Sequence, residues 1–211
     1  MQGIEIIRDL LAQSVKKYNH VGRMITCEEA YLQFRPSRQT FEMEETDPSA
    51  TLKKIYVTSL PDDSMILKPD NFGVRFFKSG TWNKACDYLF LVRVRGDSYA
   101  IFIELKSSLN DMPDSFDNRL VIVSNEDRKK EMQLLGGEAL FDYIKVIAEK
   151  HSSPNDLSQY KTRLWVLYES IRPRSPTRAG IMLTAQERIK SNKVLTKKVH
   201  DAQTISIEDL I

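Results

Sequence analysis

The chain opens with apolar residues at helical spacing. Ile4, Ile7, Leu10, Leu11, Val15 and Tyr18 fall on one face of a 3.6-residue period and predict an amphipathic helix over about residues 3–19. The pattern then weakens. AYLQFR (30–35) and TFEME (40–44) alternate around Pro36-Ser37-Arg38, which suggests a β-hairpin addition over 26–46. LKKIYVTSL (52–60) is a better strand, and Pro61-Asp62-Asp63 ends it. Pro69, Asn71, Gly73, Gly80 and Asn83 mark 65–85 as loop with one short strand, GVRFF.

The two strongest strand signals follow. CDYLFLVRVR (86–95) is rich in β-branched and aromatic residues, and YAIFIELKS (99–107) is apolar until Glu104. Gly96-Asp97 between them suits a two-residue hairpin turn. A polar loop is expected from Lys106 to about 118, then a short strand, RLVIVS (119–124). The longest helix is predicted over about 126–150, with Met132, Leu135, Ala139, Tyr143, Ile144 and Ile147 as its apolar stripe. Gly136-Gly137 inside it reads as a close-packing position. RLWVLYES (163–170) is another buried strand, and QTISIEDLI (203–211) a last strand or edge. The order predicts an α/β fold, a mixed central β-sheet flanked by helices, in one domain over 1–211.

Composition narrows this only slightly. With 211 residues, 41% of them hydrophobic, the chain can bury one real core. The net charge of +2 says little about partners. Cys27 and Cys86 make neither a disulfide framework nor a zinc spacing, and fit a reducing compartment. Glu5, Arg8 and Asp9 interrupt the first apolar stretch, which argues against a secretory signal. No apolar run reaches membrane-spanning length, so a cytoplasmic location is expected.

Candidate chemistry lies on the hairpin. With Gly96-Asp97 as the turn, Arg95 pairs with Ser98, Leu89 with Glu104, and Asp87 with Lys106. Side chains alternate faces along a strand, so Asp87, Glu104 and Lys106 share one face, with opposed Cβ atoms roughly 5 Å apart. Two carboxylates and an ammonium then converge at the open end of an apolar hairpin. Burying unpaired ions there costs on the order of several kcal/mol each. Oxygen ligands of this kind suit a hard divalent cation, Mg2+ or Mn2+, able to orient water and polarise a phosphoryl oxygen. The competing reading is a solvated ion pair at a strand end.

Asp87, a hairpin turn, then IFIELKSS with Glu104-Leu105-Lys106 resembles the core of the PD-(D/E)XK, restriction-endonuclease-like nuclease superfamily, over about residues 83–150. Cys86 stands where the motif's proline would be. The resemblance implies an α-β-β-β-α-β core and Mg2+-dependent phosphodiester hydrolysis. It makes Asp87, Glu104 and Lys106 catalytic, and Asp87, Glu104 and the Leu105 backbone carbonyl metal ligands. An acidic residue of the first helix often faces the metal in such proteins; Glu5 is the candidate, with Glu28 and Glu29 behind it. Gln133 is the candidate for a glutamine on the following helix.

Between Glu169 and Asp201 the sole acidic residue is Glu187, against eight lysines and arginines. Within this basic segment (171–200), Arg172, Arg174, Arg178, Lys190 and Lys193 are candidate contacts to nucleic-acid phosphates. The expected function is an endonuclease acting on nucleic acid, DNA before RNA, in a restriction or phage-defence setting, with a homodimer or larger complex as the candidate assembly. The alternative is an inactive nucleic-acid- or protein-binding module on the same fold. Serine-hydrolase, P-loop and dinucleotide-binding motifs are absent from the sequence.

Overall fold

A computed structural model of the protein describes residues 4–7, 17–18, 24–25, 40–45, 47–69, 85–110, 125–151, 156–172 and 194–211. The central element is a mixed sheet. Its strands are β5 (Met65–Leu67), β6 (Tyr88–Val94), β7 (Asp97–Asn110), β8 (Lys161–Arg172) and β9 (Val194–Lys198), hydrogen-bonded in that order. β5, β6 and β7 form an antiparallel meander, and β8 and β9 continue parallel to β7. The crossover from β7 to β8 carries the long helix, Asn125–His151, here α2. Residues 4–7 are helical and are called α1. A parallel pair needs such a crossover, because its second strand must restart at the same end of the sheet.

The apolar runs of β6 and β7 are continuous because both faces of this sheet are covered. On one face Leu89, Leu91, Phe102, Leu164 and Val166 pack with Leu134, Phe141, Ile144 and Ala148 of α2 and with Ile4 and Ile7 of α1. The other face is covered by a second sheet, in which β4 (Lys54–Thr58) lies between β3 (Phe41–Glu44) and β10 (Gln203–Ser206). Ile55 and Val57 of β4 point inward, while its alternate residues are half-exposed. They join Tyr88, Phe90, Ile101, Ile103 and Leu105 in a second core. The expected mixed α/β sheet is present, and among the described residues its α-helices pack on one face while the small sheet and the helical turn Ile207–Leu210 cover the other.

Several elements differ from expectation. Lys17–Tyr18 is a short strand, β1, paired with Met24–Ile25, β2, so no helix runs through 19. TFEME is a strand, but its partner is β4; AYLQFR, its expected hairpin partner, lies outside the described residues. β7 continues to Asn110, where loop was expected, because β8 pairs with it along its whole polar end. β5 and β9 went unread. GVRFF and RLVIVS lie outside the described residues.

α2 spans the expected residues with a rotated stripe. Leu134, Gly137, Phe141, Ile144 and Ala148 face the core, and Tyr143 is 52% exposed. Gly137 sets that rotation. A Cβ there would meet Cys86 Sγ at 2.5 Å and Phe102 Cδ1 at 3.1 Å, so only glycine lets the helix lie this close to β7. Among the described residues no helix is long and apolar enough to cross a membrane.

Candidate active site

The β6–β7 hairpin turns at Arg95-Gly96, with φ of 53° and 88°, the left-handed pair that a tight two-residue hairpin requires. Val94 pairs with Asp97 and Arg93 with Ser98. The turn thus sits one residue earlier than Gly96-Asp97, and the register moves by two. A slip of one would have exchanged the faces; a slip of two preserves them. Asp87 now lies one step beyond the Tyr88–Ile103 pair, at the level of Glu104 rather than Lys106.

From Glu104 onward β7 has outrun β6. Asp87 fills the gap, its Oδ2 accepting the Leu105 N–H at 2.7 Å. The N–H and C=O of one strand residue point to the same neighbouring strand. The Leu105 carbonyl is therefore directed to the Asp87 side as well.

Glu104 shares its face with Ala100 and Phe102, under α2. It is 0% exposed, and among the described residues neither carboxylate oxygen has a hydrogen-bond partner. Lys106 Nζ touches Oε1 as an ion pair without hydrogen-bond geometry. Burial pushes the Glu104 carboxyl up to about 8; the Asp87 charge adds to this and Lys106 opposes it. Burial disfavours the Lys106 ammonium too, yet the Glu104 and Asp87 charges outweigh it and hold the group above the usual lysine range. The ion pair raises Lys106 and opposes the rise at Glu104. Lys106 keeps its proton, and burial decides the sign at Glu104.

Cys86 does not lie on the opposite face, as strict alternation would have it. The chain bends at Asp87, so the thiol joins Leu89 and Phe102 under Gly137. It is buried, donates to the Tyr88 carbonyl at 3.3 Å and is pushed well above the usual thiol range by burial. That is a core residue, not a nucleophile.

Gln133 is 9% exposed. It precedes Gly137 by one helical turn, about 6 Å. Glu104 follows Phe102 by two strand residues, a similar distance. With Gly137 packed on Phe102 and the helix running back along β7, Gln133 lies toward the Glu104 end of that strand. Glu5 is exposed while Ile4 and Ile7 beside it face the core; the structure does not bring it into the cluster. Glu28 and Glu29 lie outside the described residues. The third carboxylate whose charge registers on Glu104 and Lys106 is Glu45, just after β3.

Sequence reasoning missed two residues, Glu45 and Lys68. Lys68 follows β5, with Nζ 5.0 Å from the Tyr88 ring centroid. A lysine closing an apolar run, as in MILK here and IELK in β7, was the available signal. Arg172 pairs in register with Asn110, so the basic segment leaves the sheet at the end where Glu104 and Lys106 lie. The Arg172 side chain, with Arg174, Arg178, Lys190 and Lys193, is outside the described residues.

Among the described residues no three His, Cys, Asp or Glu side chains gather as a metal cage. A hard cation such as Mg2+ needs only one or two protein carboxylates, because it keeps several waters. The Glu104 carboxylate beside Asp87, which accepts no hydrogen bond among the described residues, fits that need. No family model matches the chain, and no curated protein or solved structure matches it significantly.

Proposed function

We propose that the protein is a metal-dependent endonuclease of the restriction-endonuclease-like type that hydrolyses phosphodiester bonds, with DNA as substrate. The observation that carries this reading is Glu104, a fully buried carboxylate beside Asp87 whose only counter-charge among the described residues is the Lys106 ammonium on Oε1 and whose oxygens accept no hydrogen bond there. A structural role would be served as well by an apolar residue at that position. Within the central sheet, the antiparallel strands β5, β6 and β7 followed by α2 and the parallel strand β8 support the β-β-β-α-β part of the core that the resemblance implies, with β1–β4 lying between it and α1 in the chain.

Asp87, Glu104 and the Leu105 carbonyl would hold Mg2+ or Mn2+. When bound, the ion supplies a polarised phosphoryl oxygen and an acidified water. Lys106, kept protonated by its acidic neighbours, donates to a phosphate oxygen and stabilises the charge that grows as the bond breaks. Gln133, toward the Glu104 end of β7, is placed to orient water with its amide. Arg172, Arg174, Arg178, Lys190 and Lys193 would neutralise flanking phosphates.

Purified protein incubated with plasmid DNA and Mg2+ or Mn2+ should nick or linearise it. Glu104→Ala should abolish cleavage and leave DNA binding largely intact. An uncut plasmid under both metals, with binding retained, would favour the inactive binding module instead.

A further inference from the structure

Lys68 stands at the same end of the sheet as Asp87 and takes no part in the mechanism above. β5 pairs antiparallel with β6, and its last residue, Leu67, lies opposite Leu89. Lys68 is thus level with Tyr88, the first residue of β6 and one step before the Asp87 bend, on the sheet face that Ile66 and Tyr88 share. Its side chain is half-buried, and its ammonium lies 5.0 Å from the centre of the Tyr88 ring.

That ring is a fixed platform. Tyr88 is 1% exposed, and Phe41 packs against it edge-on with centroids 5.7 Å apart. Its hydroxyl accepts from the Glu44 N–H at 2.7 Å and donates to the Glu44 carbonyl at 3.0 Å. The same pair of bonds ties the end of β3, and with it Glu45, beside the site. Burial lowers the Lys68 affinity for its proton; the charges of Glu44, Asp87 and Glu45 oppose that. Among the described residues none forms an ion pair with it. A half-desolvated ammonium on an aromatic face, with no ion pair there, is an anion donor in waiting.

We infer that Lys68 is a second phosphate-binding residue of this site, contacting the substrate's phosphodiester backbone on the opposite side of Asp87 from Lys106. The inference rests on the nuclease reading for its substrate class. Charge supports it. Asp87, Glu104 and Glu45, set against Lys106, Lys68 and one divalent cation, leave a single positive charge. A phosphodiester, one negative charge per unit, neutralises that remainder; without Lys68 the same sum is zero.

The test reads binding rather than cleavage. Anisotropy of a labelled DNA duplex is measured with Ca2+ in place of Mg2+ to hold cleavage off, across a range of salt. Lys68→Met keeps the stem packed on Tyr88, and Lys68→Gln is the second neutral variant should the first misfold. The neutral variant should bind several-fold more weakly, with a log–log salt slope shallower by about 0.9, one duplex phosphate contact. Lys68→Arg should restore both, which packing alone would not do. A folded neutral variant with unchanged affinity and slope would overturn the inference while leaving the nuclease reading intact. Wild type that binds but never cuts in Mg2+, with the Lys68 effects as expected, would sink the nuclease reading and keep Lys68 as a phosphate contact. Wild type that binds neither duplex nor single strand would overturn both.

Discussion

Glu104 is a carboxylate in a place that suits a leucine. Its ordinary pKa is near 4.5 and its folded value about 8, so the metal-free native state holds its proton more tightly than the unfolded chain does. The stabilisation this brings is complete below pH 4.5 and is lost as pH rises through about 8. The loss is at most about 1.4 kcal/mol per pH unit for one proton. Urea unfolding in a chelator should therefore show metal-free wild type weakening between these pH values, and Glu104→Gln weakening less. Mg2+ should restore stability to wild type at pH 8 and do little for the Gln variant. Equal pH profiles for both proteins would refute the buried-carboxylate account. At this scale the nearness of Glu104 and Lys106 was legible from the alternation along β7, and that of Asp87 from the hairpin, whose register error of two leaves the strand faces unchanged. Cys86 was misread because parity fails at the Asp87 bend. Glu45 and Lys68 arrive from strands whose place beside β6 no local pattern announces.

At the scale of elements, the contact between α2 and β7 decides where Gln133 stands relative to Glu104. Gly137 makes that contact possible. Gly137→Ala gains about 1 kcal/mol of helix propensity. Against this, its methyl meets Cys86 Sγ at 2.5 Å within a closed core, and overpacking of that kind costs typically about 1–3 kcal/mol. The single variant should be destabilised in chemical denaturation. Cys86→Ala removes the sulfur and should make the glycine substitution neutral or stabilising, a non-additive cycle. Additive effects would show that the helix does not rest on Cys86. The existence and length of α2 were legible from its period, whereas its rotation was not. A glycine carries no hydrophobic weight in a periodicity, so the stripe drifted toward Tyr143, which faces solvent. Strand types were legible for β4, β6, β7 and β8. β5 and β9 were not, being short and set among turn residues or lysines.

At the scale of the molecule, the far face of the central sheet depends on the end of the chain. β10 pairs parallel with β4 across roughly 145 residues of sequence, a contact expensive in loop entropy and invisible to local pattern. Asp201 Oδ1 accepts the Lys53 and Lys54 N–H groups at 2.7 and 2.8 Å, and Trp165 Nε1 donates to the Leu210 carbonyl at 2.8 Å. Ile205, Ile207 and Leu210 enter the same core as Tyr88, Ile103 and Leu105. If that core is one cooperative unit, damage at β10 must be felt throughout the central sheet. Ile205→Ala should cost about 2–5 kcal/mol, the range for a buried isoleucine truncation. Unfolding followed by Trp165 fluorescence, in a Trp82→Phe background, should coincide with far-UV circular dichroism in both wild type and variant. The small sheet also holds Glu45 and the Tyr88 platform beside the site. Partial loosening would therefore appear in nucleic-acid affinity before it appeared in secondary structure. An early fluorescence transition, with dichroism and binding unchanged, would show instead that the C-terminal strand is an appendage and that the site stands on the central sheet alone.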